Sequence, residues 1–210
     1  MRETELAAKI VGWLSEQNWD VYQEVQFHNH GGVADIVAVR NRVLWIIETK
    51  MQYGFPVLNQ AAHWPVHYRS VGVPIARNRD YRVALNYYKV GVIEVGIGVH
   101  EYAAAPFFSK HQRIVKDYLS QLTELHKTFA PAGSQSGHHL TPYKLTMMAV
   151  RKFVESHPGC TVKDIYSELG HFHYSSGASF KGNLLVALKE FESWCRVDLS
   201  IRPIRLYIKE

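Results

Sequence analysis

The sequence predicts an α/β fold, a mixed central sheet flanked by helices and followed by a smaller unit, and three observations predict it. Two neighbouring runs, Val33-Ala34-Asp35-Ile36-Val37-Ala38-Val39 and Val43-Leu44-Trp45-Ile46-Ile47-Glu48-Thr49-Lys50, are apolar on both pleat faces, the mark of central strands covered on two sides. Segments of helical and strand period alternate around them. Small, polar and helix-breaking residues then dominate from Ala130 to His139, where no apolar face is left to bury. With 210 residues, 47% of them hydrophobic, the chain has room for one medium and one small domain. The expected division is a first domain over 1–127, a linker over 128–141 and a second domain over 142–210.

The first element is an amphipathic helix, since Leu6, Ile10, Trp13 and Leu14 recur at helical spacing, with Thr4 as a candidate cap and Glu5 in the first turn. A strand follows over 21–27, then a turn at His28-Asn29-His30-Gly31-Gly32, then the two central strands. Pro56 marks the first turn of a short helix carrying Gln60 and Trp64 one turn apart, disturbed by Pro65. Strands are expected over 70–75 and 91–99, with a helix over 80–89 between them. A long helix over 109–129 places Ile114, Tyr118, Leu122 and Leu125 on one stripe, with Ser109 and Gln112 as its capping box.

Composition narrows the function classes. Two cysteines, Cys160 and Cys195, provide neither a disulfide framework nor a four-thiolate zinc site. The acidic start of the chain does not resemble a secretory signal, and no apolar run reaches membrane-spanning length, so the expectation is a soluble cytoplasmic protein with no membrane partner. The formal net charge is +5 and the pI about 9.1, which leans toward a polyanion such as nucleic acid. Twelve histidines raise the question of zinc. His171-Phe172-His173 has no cysteine pair at finger spacing, while His28 and His30 flank the glycine turn near Asp35.

The anomaly is charge inside the two most apolar strands: Asp35 in one, and Glu48-Thr49-Lys50 ending the other. Alternation places Glu48 and Lys50 on the same face. A hairpin turning at Asn41-Arg42 pairs residues whose numbers sum to 83, which sets Asp35 across from Glu48. Two carboxylates about 5 Å apart repel unless a cation lies between them. Mg²⁺ suits such a place, because it takes one or two carboxylates, keeps several waters and leaves room for a phosphate. Lys50 beside that ion is positioned to orient or deprotonate water, or to hold the phosphate.

Asp35, twelve intervening residues and then Glu48-Thr49-Lys50 resemble the PD-(D/E)xK nuclease superfamily of restriction endonucleases, Holliday-junction resolvases and transposon-end-cleaving nucleases. The resemblance covers roughly residues 1 to 100 and implies a restriction-endonuclease-like core. It also implies Mg²⁺, with Mn²⁺ as a substitute, held by Asp35, Glu48 and the carbonyl of Thr49, and a Lys50 that serves the water. A further family Glu on the first helix would fall on Glu5, with Glu24 competing for that supporting role. Gln60 with Trp64 is similar to the Gln and aromatic residue that many relatives carry after the motif. Ala34 stands where the Pro of the family name would be.

In the smaller unit, Thr141-Pro142 starts a helix with Met147, Val150 and Val154 on its stripe, and Thr161 starts a second that ends at Leu169-Gly170. Phe180, Leu184, Leu188 and Phe191 define a third. Two alternating strands joined near Arg202-Pro203 complete a winged helix. In that fold the third helix enters the major groove, so Ser179, Lys181 and Asn183 are the candidate DNA contacts, with Arg202 and Arg205 on phosphates. The function expected is a metal-dependent DNA endonuclease whose winged helix positions DNA or a partner, with a homodimer or larger nucleoprotein assembly left open. The alternative is a non-cleaving DNA-binding or assembly protein on the same fold.

Overall fold

A computed structural model describes residues 1–28, 30–76, 80–134, 139–170 and 174–209. It divides into two compact units, Met1–Leu140 and Thr141–Glu210.

The first unit is built on a six-stranded mixed sheet whose strands follow one another in chain order: β1 (Asp20–Gln26), β2 (Val33–Arg40), β3 (Val43–Thr49), β4 (Tyr68–Pro74), β5 (Gly91–Val95) and β6 (Val99–Ala103). The β1–β2, β2–β3 and β5–β6 pairs are antiparallel, whereas β3–β4 and β4–β5 are parallel. Each parallel pair needs a crossover. The first is α2 (Phe55–Ala62), opened by Pro56, and the second a short π-helical segment, Ala84–Tyr88. The run expected as one strand over 91–99 is two strands, because Gly96-Ile97-Gly98 makes a tight turn there, closed by a bond from the Gly96 N–H to the Gly98 carbonyl.

Helices cover both faces, as the doubly apolar strands require. On one face α1 (Glu3–Glu16) buries Leu6, Ala7, Ile10 and Leu14 against Ile36, Ala38, Trp45 and Ile47. On the other, α2 buries Val57, Leu58 and Ala61, and α3 (Gln112–Gln121) buries Val115 and Tyr118 near Val37, Leu44 and Ile46. Helix α1 begins before Thr4: Arg2 is its cap and Thr4 lies inside the first turn.

The predicted long helix over 109–129 is broken. Its pieces are a 3₁₀ turn at Ser109–His111, then α3, then a 3₁₀ turn at Glu124–Lys127, because Leu122 is extended and His126 turns inward to bond Thr123. Ile114 and Leu125 are consequently exposed instead of forming a stripe with Tyr118. The segment expected as a linker over 128–141 belongs, in its described part up to Leu140, to the first unit. Ala130, Ala132 and Leu140 are buried, the Ala132 N–H donates to Gln23, and Leu140 bridges to Val25; residues 135–138 lie outside the described ones.

The second unit holds α4 (Pro142–Ser156), α5 (Val162–Leu169), α6 (Gly177–Glu190) and an antiparallel pair, β7 (Cys195–Asp198) with β8 (Arg205–Ile208). Thr141 and Thr161 cap α4 and α5 as expected, through Lys144 N–H and Asp164 N–H. The buried residues Met147, Val150, Val154, Phe180, Leu184 and Leu188 make its core with Cys160 and Cys195. Phe191, expected on the stripe of α6, caps that helix and is exposed. No helix of the described residues is long and apolar enough to cross a membrane.

Helix α1 packs Ile10 closely onto β4 at Gly72. A Cβ there would collide with Cδ1 of Ile10, a fully buried side chain. Gly72→Ala is therefore expected to cost about 1–3 kcal/mol in urea unfolding. Adding Ile10→Val, which removes that Cδ1, makes the double variant less destabilised than the sum of the two singles.

Candidate active site

Strands β2 and β3 turn at Asn41 and Arg42, whose φ angles of 51° and 65° are both left-handed, as a two-residue type I′ hairpin requires. This turn fixes the register. Arg40 pairs with Val43 and Ile36 with Ile47, the pairing whose numbers sum to 83; the ladder ends there, the same register continued one step brings Asp35 opposite Glu48, and the charge of Asp35 acts on Glu48.

The two carboxylates are held differently. Asp35 Oδ2 accepts from the Thr49 backbone N–H at 2.7 Å and from its hydroxyl at 2.9 Å. Glu48 is fully buried; its Oε1 accepts from the indole N–H of buried Trp64 at 2.5 Å, while its Oε2 is buried with no hydrogen-bond partner. Burial pushes the Asp35 carboxyl up, against the pull of the Thr49 donors. Burial, and then the charge of Asp35, push Glu48 well above the usual carboxylate range.

Lys50 pairs with Glu3, Nζ to Oε1 at 2.9 Å. Burial works to lower its pKa, but Glu3, Asp35 and Glu48 outweigh that and raise it. The lysine is therefore a fixed ammonium at neutral pH, suited to holding a negative oxygen and unsuited to taking a proton.

Glu24 completes the cluster. It sits in β1 at φ 50° between the Gln23–Ile36 and Val25–Ala34 pairs, opposite Asp35, and is 6% exposed. Burial first, and then the charge of Asp35, push its pKa up to about 7, although the Ser134 N–H donates to its Oε1 at 3.2 Å.

Four of the first-unit positions singled out in the sequence converge here: Asp35, Glu48, Lys50 and Glu24, with Thr49 bonded to Asp35. Two do not. Glu5 is exposed and bonds the Arg2 backbone N–H and guanidinium, which hold its carboxyl below the usual range, so the acid that α1 supplies is Glu3. Gln60 is exposed on α2, off the face that buries Val57, Leu58 and Ala61, and that helix stops at Ala62. Trp64 then falls beyond the helix end and turns inward, a change foreshadowed by Pro65, which disfavours helical backbone at the residue before it. His30 adds a ring stacked on Trp64, with centroids 3.8 Å apart.

No group of three or more His, Cys, Asp and Glu side chains among the described residues is arranged to hold a metal ion. Two carboxylates and a backbone carbonyl, from Asp35, Glu48 and Thr49, make a smaller donor set, of the kind Mg²⁺ takes alongside water. The unpartnered Glu48 Oε2 fits such a cation, since a buried carboxylate oxygen without a donor is costly to keep.

In the second unit, Lys181, Arg202 and Arg205 line one cavity of about 520 Å³ together with Lys163 and Asp164. Lys163 was not singled out in the sequence. Ser179 and Asn183 bond each other along α6 and do not line that cavity. Arg205 also donates to the Gly159 carbonyl, and the Lys181 ammonium lies 4.6 Å from the Tyr166 ring centre.

Because the folded pKa of Glu48 is raised, its contribution to stability is fully present below the usual carboxylate range and is lost as pH rises toward the folded value. Glu48→Gln keeps an acceptor for Trp64 and removes that loss. Urea unfolding in chelator at pH 8 is expected to find the variant more stable than wild type by roughly 1 kcal/mol or more, with a smaller gain at pH 5. A variant less stable than wild type at pH 8 contradicts the assigned strain.

Comparison with descriptions of known protein families gives no match, and comparison with curated proteins gives none either. Among solved structures, the chain is similar to a protein of unknown function from Silicibacter pomeroyi at 12% identity and a TM-score of 0.41, over 57% of this chain and 86% of that one.

Proposed function

We propose that this chain is a metal-dependent DNA endonuclease of the PD-(D/E)xK kind, hydrolysing phosphodiester bonds at the Asp35, Glu48 and Lys50 cluster. The observation that carries the reading is the buried Glu48 carboxylate facing Asp35 across a strand pair with one oxygen unpartnered. Residues that serve only the fold would be expected to relieve that repulsion, and these keep it. The order helix, three antiparallel strands, crossover helix and parallel strand supports the same family reading.

Within this reading Asp35, Glu48 and the Thr49 carbonyl would hold Mg²⁺ or Mn²⁺. The chemistry such an ion supplies when bound is polarisation of the scissile phosphate and a lower pKa for water. Trp64 fixes Glu48 by occupying one oxygen, and the two Thr49 donors do the same for Asp35. Lys50, kept charged by Glu3, stands where it holds a phosphate oxygen or aligns the attacking water by charge alone. The second unit, three helices and a hairpin, is read as a winged helix that grips DNA through Lys163, Lys181, Arg202 and Arg205.

Incubation with supercoiled, linear and branched DNA tests the reading. Wild type should cleave with Mg²⁺ or Mn²⁺, and Asp35→Ala, Glu48→Gln and Lys50→Ala should each lose at least about a hundredfold in rate. Glu5→Ala and Gln60→Ala should stay within a few-fold of wild type. Mg²⁺ should also raise the melting temperature of wild type and leave Glu48→Gln unmoved. Cleavage that survives Asp35→Ala defeats the site; DNA binding without cleavage in either metal favours a non-cleaving DNA-binding protein.

A further inference from the structure

A second set of groups in the first unit is short of a partner, and the chemistry it lacks is opposite to that of the carboxylate cluster. His67, 4% exposed in the run leading into β4, accepts the Leu44 N–H on Nδ1, so the neutral ring carries its proton on Nε2. That Nε2 is buried and has no hydrogen-bond partner. Burial lowers the His67 pKa, which keeps the ring neutral and the Nε2 proton a fixed donor. The ring lies flat against Phe107, centroids 5.3 Å apart, and borders a cavity of about 680 Å³.

The polar part of that cavity's lining is basic, with Arg42 from the β2–β3 turn and Gln112, Arg113, Lys116 and Ser120 from α3, set beside the apolar Val115 and Leu119. No ion pair is made by Arg42, Arg113 or Lys116 among the described residues. Arg113, Lys116 and Ser120 recur at helical spacing, so they form a crest on α3, and the same three line a second cavity of about 760 Å³ on its other side. That second cavity is bounded by His30 and His63, and His30 is the ring stacked on Trp64, which holds Glu48. Its one acid, Asp117, accepts from Gln121.

An orphaned neutral donor beside three cations that make no ion pair fits an anion with several acceptor oxygens, and because Arg113 and Lys116 also face a second cavity, a repeating anion fits better than a single one. We propose that the cavity of Arg42, His67, Arg113 and Lys116 is a backbone-phosphate site, and that with the crest of α3 it forms a second contact zone for the DNA cleaved at the carboxylate cluster. The proposal rests on the nucleic-acid reading of that cluster. The five residue steps from Asp35 to Arg40 along β2 span about 17 Å, so the phosphate site lies some five base pairs from the reacting bond at about 3.4 Å per pair. The contacts are to phosphate and carry no sequence preference.

The test measures binding of the full-length protein to a labelled DNA duplex in Ca²⁺, across a salt series. The triple variant Arg42→Asn, Arg113→Ala, Lys116→Ala keeps a residue that tolerates positive φ at the turn. It should bind at least about tenfold more weakly at about 0.1 M salt, and its plot of log affinity against log salt should be shallower by about 2 to 3. Lys9→Ala with Arg82→Ala, which removes cations elsewhere in the same unit, should leave that slope within about 0.5 of wild type. Unchanged affinity and slope in a triple variant that melts like wild type overturns the phosphate site, as does a wild type that binds no duplex. If cleavage depends on Asp35 while the triple variant binds normally, the site is wrong and the nuclease reading stands. If wild type never cleaves yet the triple variant loses binding, the nuclease reading is wrong and the site stands.

Discussion

The placement of Asp35 opposite Glu48 at the ends of the two most apolar strands is the constraint on which the rest of the first unit depends. Carboxylates there must be tolerated at the edge of an apolar core and still be kept apart. The sheet sets the first condition, its core packed under α1 on one side and α2 and α3 on the other. Donors local to each acid supply the second: Thr49 for Asp35, Trp64 for Glu48, the Ser134 N–H for Glu24 and Lys50 for Glu3. Only one of those donors is a cation. Four acids with a single ammonium among them leave net negative charge in a poorly solvated place; burial first, and neighbouring carboxylates after it, raise the pKa values of Glu24, Asp35 and Glu48.

How each acid is held bears on what it can do. Both Thr49 donors go to a single oxygen of Asp35, and Trp64 engages a single oxygen of Glu48. The donors thus orient the carboxyl groups without using up their acceptors, the condition for a site that binds something else. The 130–134 segment belongs to this scaffold. Gly133, at φ 74°, packs so closely on the Glu3 backbone that a side chain would crowd it, and the next N–H reaches Glu24. Its composition resembles a linker because small residues are what fit there.

How much of this was legible in the sequence follows from the range of the interactions. The hairpin register was readable, since a two-residue turn at Asn41-Arg42 and a period of two leave one pairing that buries both strands. The acid on α1 was not, because Glu3 and Glu5 lie 200° apart on a helix and the choice depends on a start at Arg2, set by a guanidinium contact with no propensity behind it. Trp64 is one helical turn from Gln60 by spacing, but α2 ends at Ala62, so the two share no helix face: Gln60 is exposed on the helix and Trp64 is buried beyond its end. The break at Leu122 escaped the helical period because the residue driving it, His126, gains its burial only from the tertiary fold. His67 and Arg42 carry no local signal at all. They are brought together by the parallel β3–β4 pairing, in which Trp45 meets Tyr68.

The modest overall charge conceals this arrangement. The first unit carries fourteen basic and twelve acidic side chains, close to neutral. Four of the acids are drawn into the carboxylate cluster, so the remaining surface is more positive than the sum suggests. Along α3 and the β2–β3 turn the cations Arg42, Arg113 and Lys116 make no ion pair among the described residues. A polyanion approaching that face meets attraction along its length and repulsion at one end, where the carboxylates are. On the proposed nuclease reading, repulsion at that end would make productive binding conditional on a cation among the carboxylates. Affinity would then come from the basic face and the capacity to react from the cation, so that binding and chemistry would be governed by opposite charges roughly 17 Å apart.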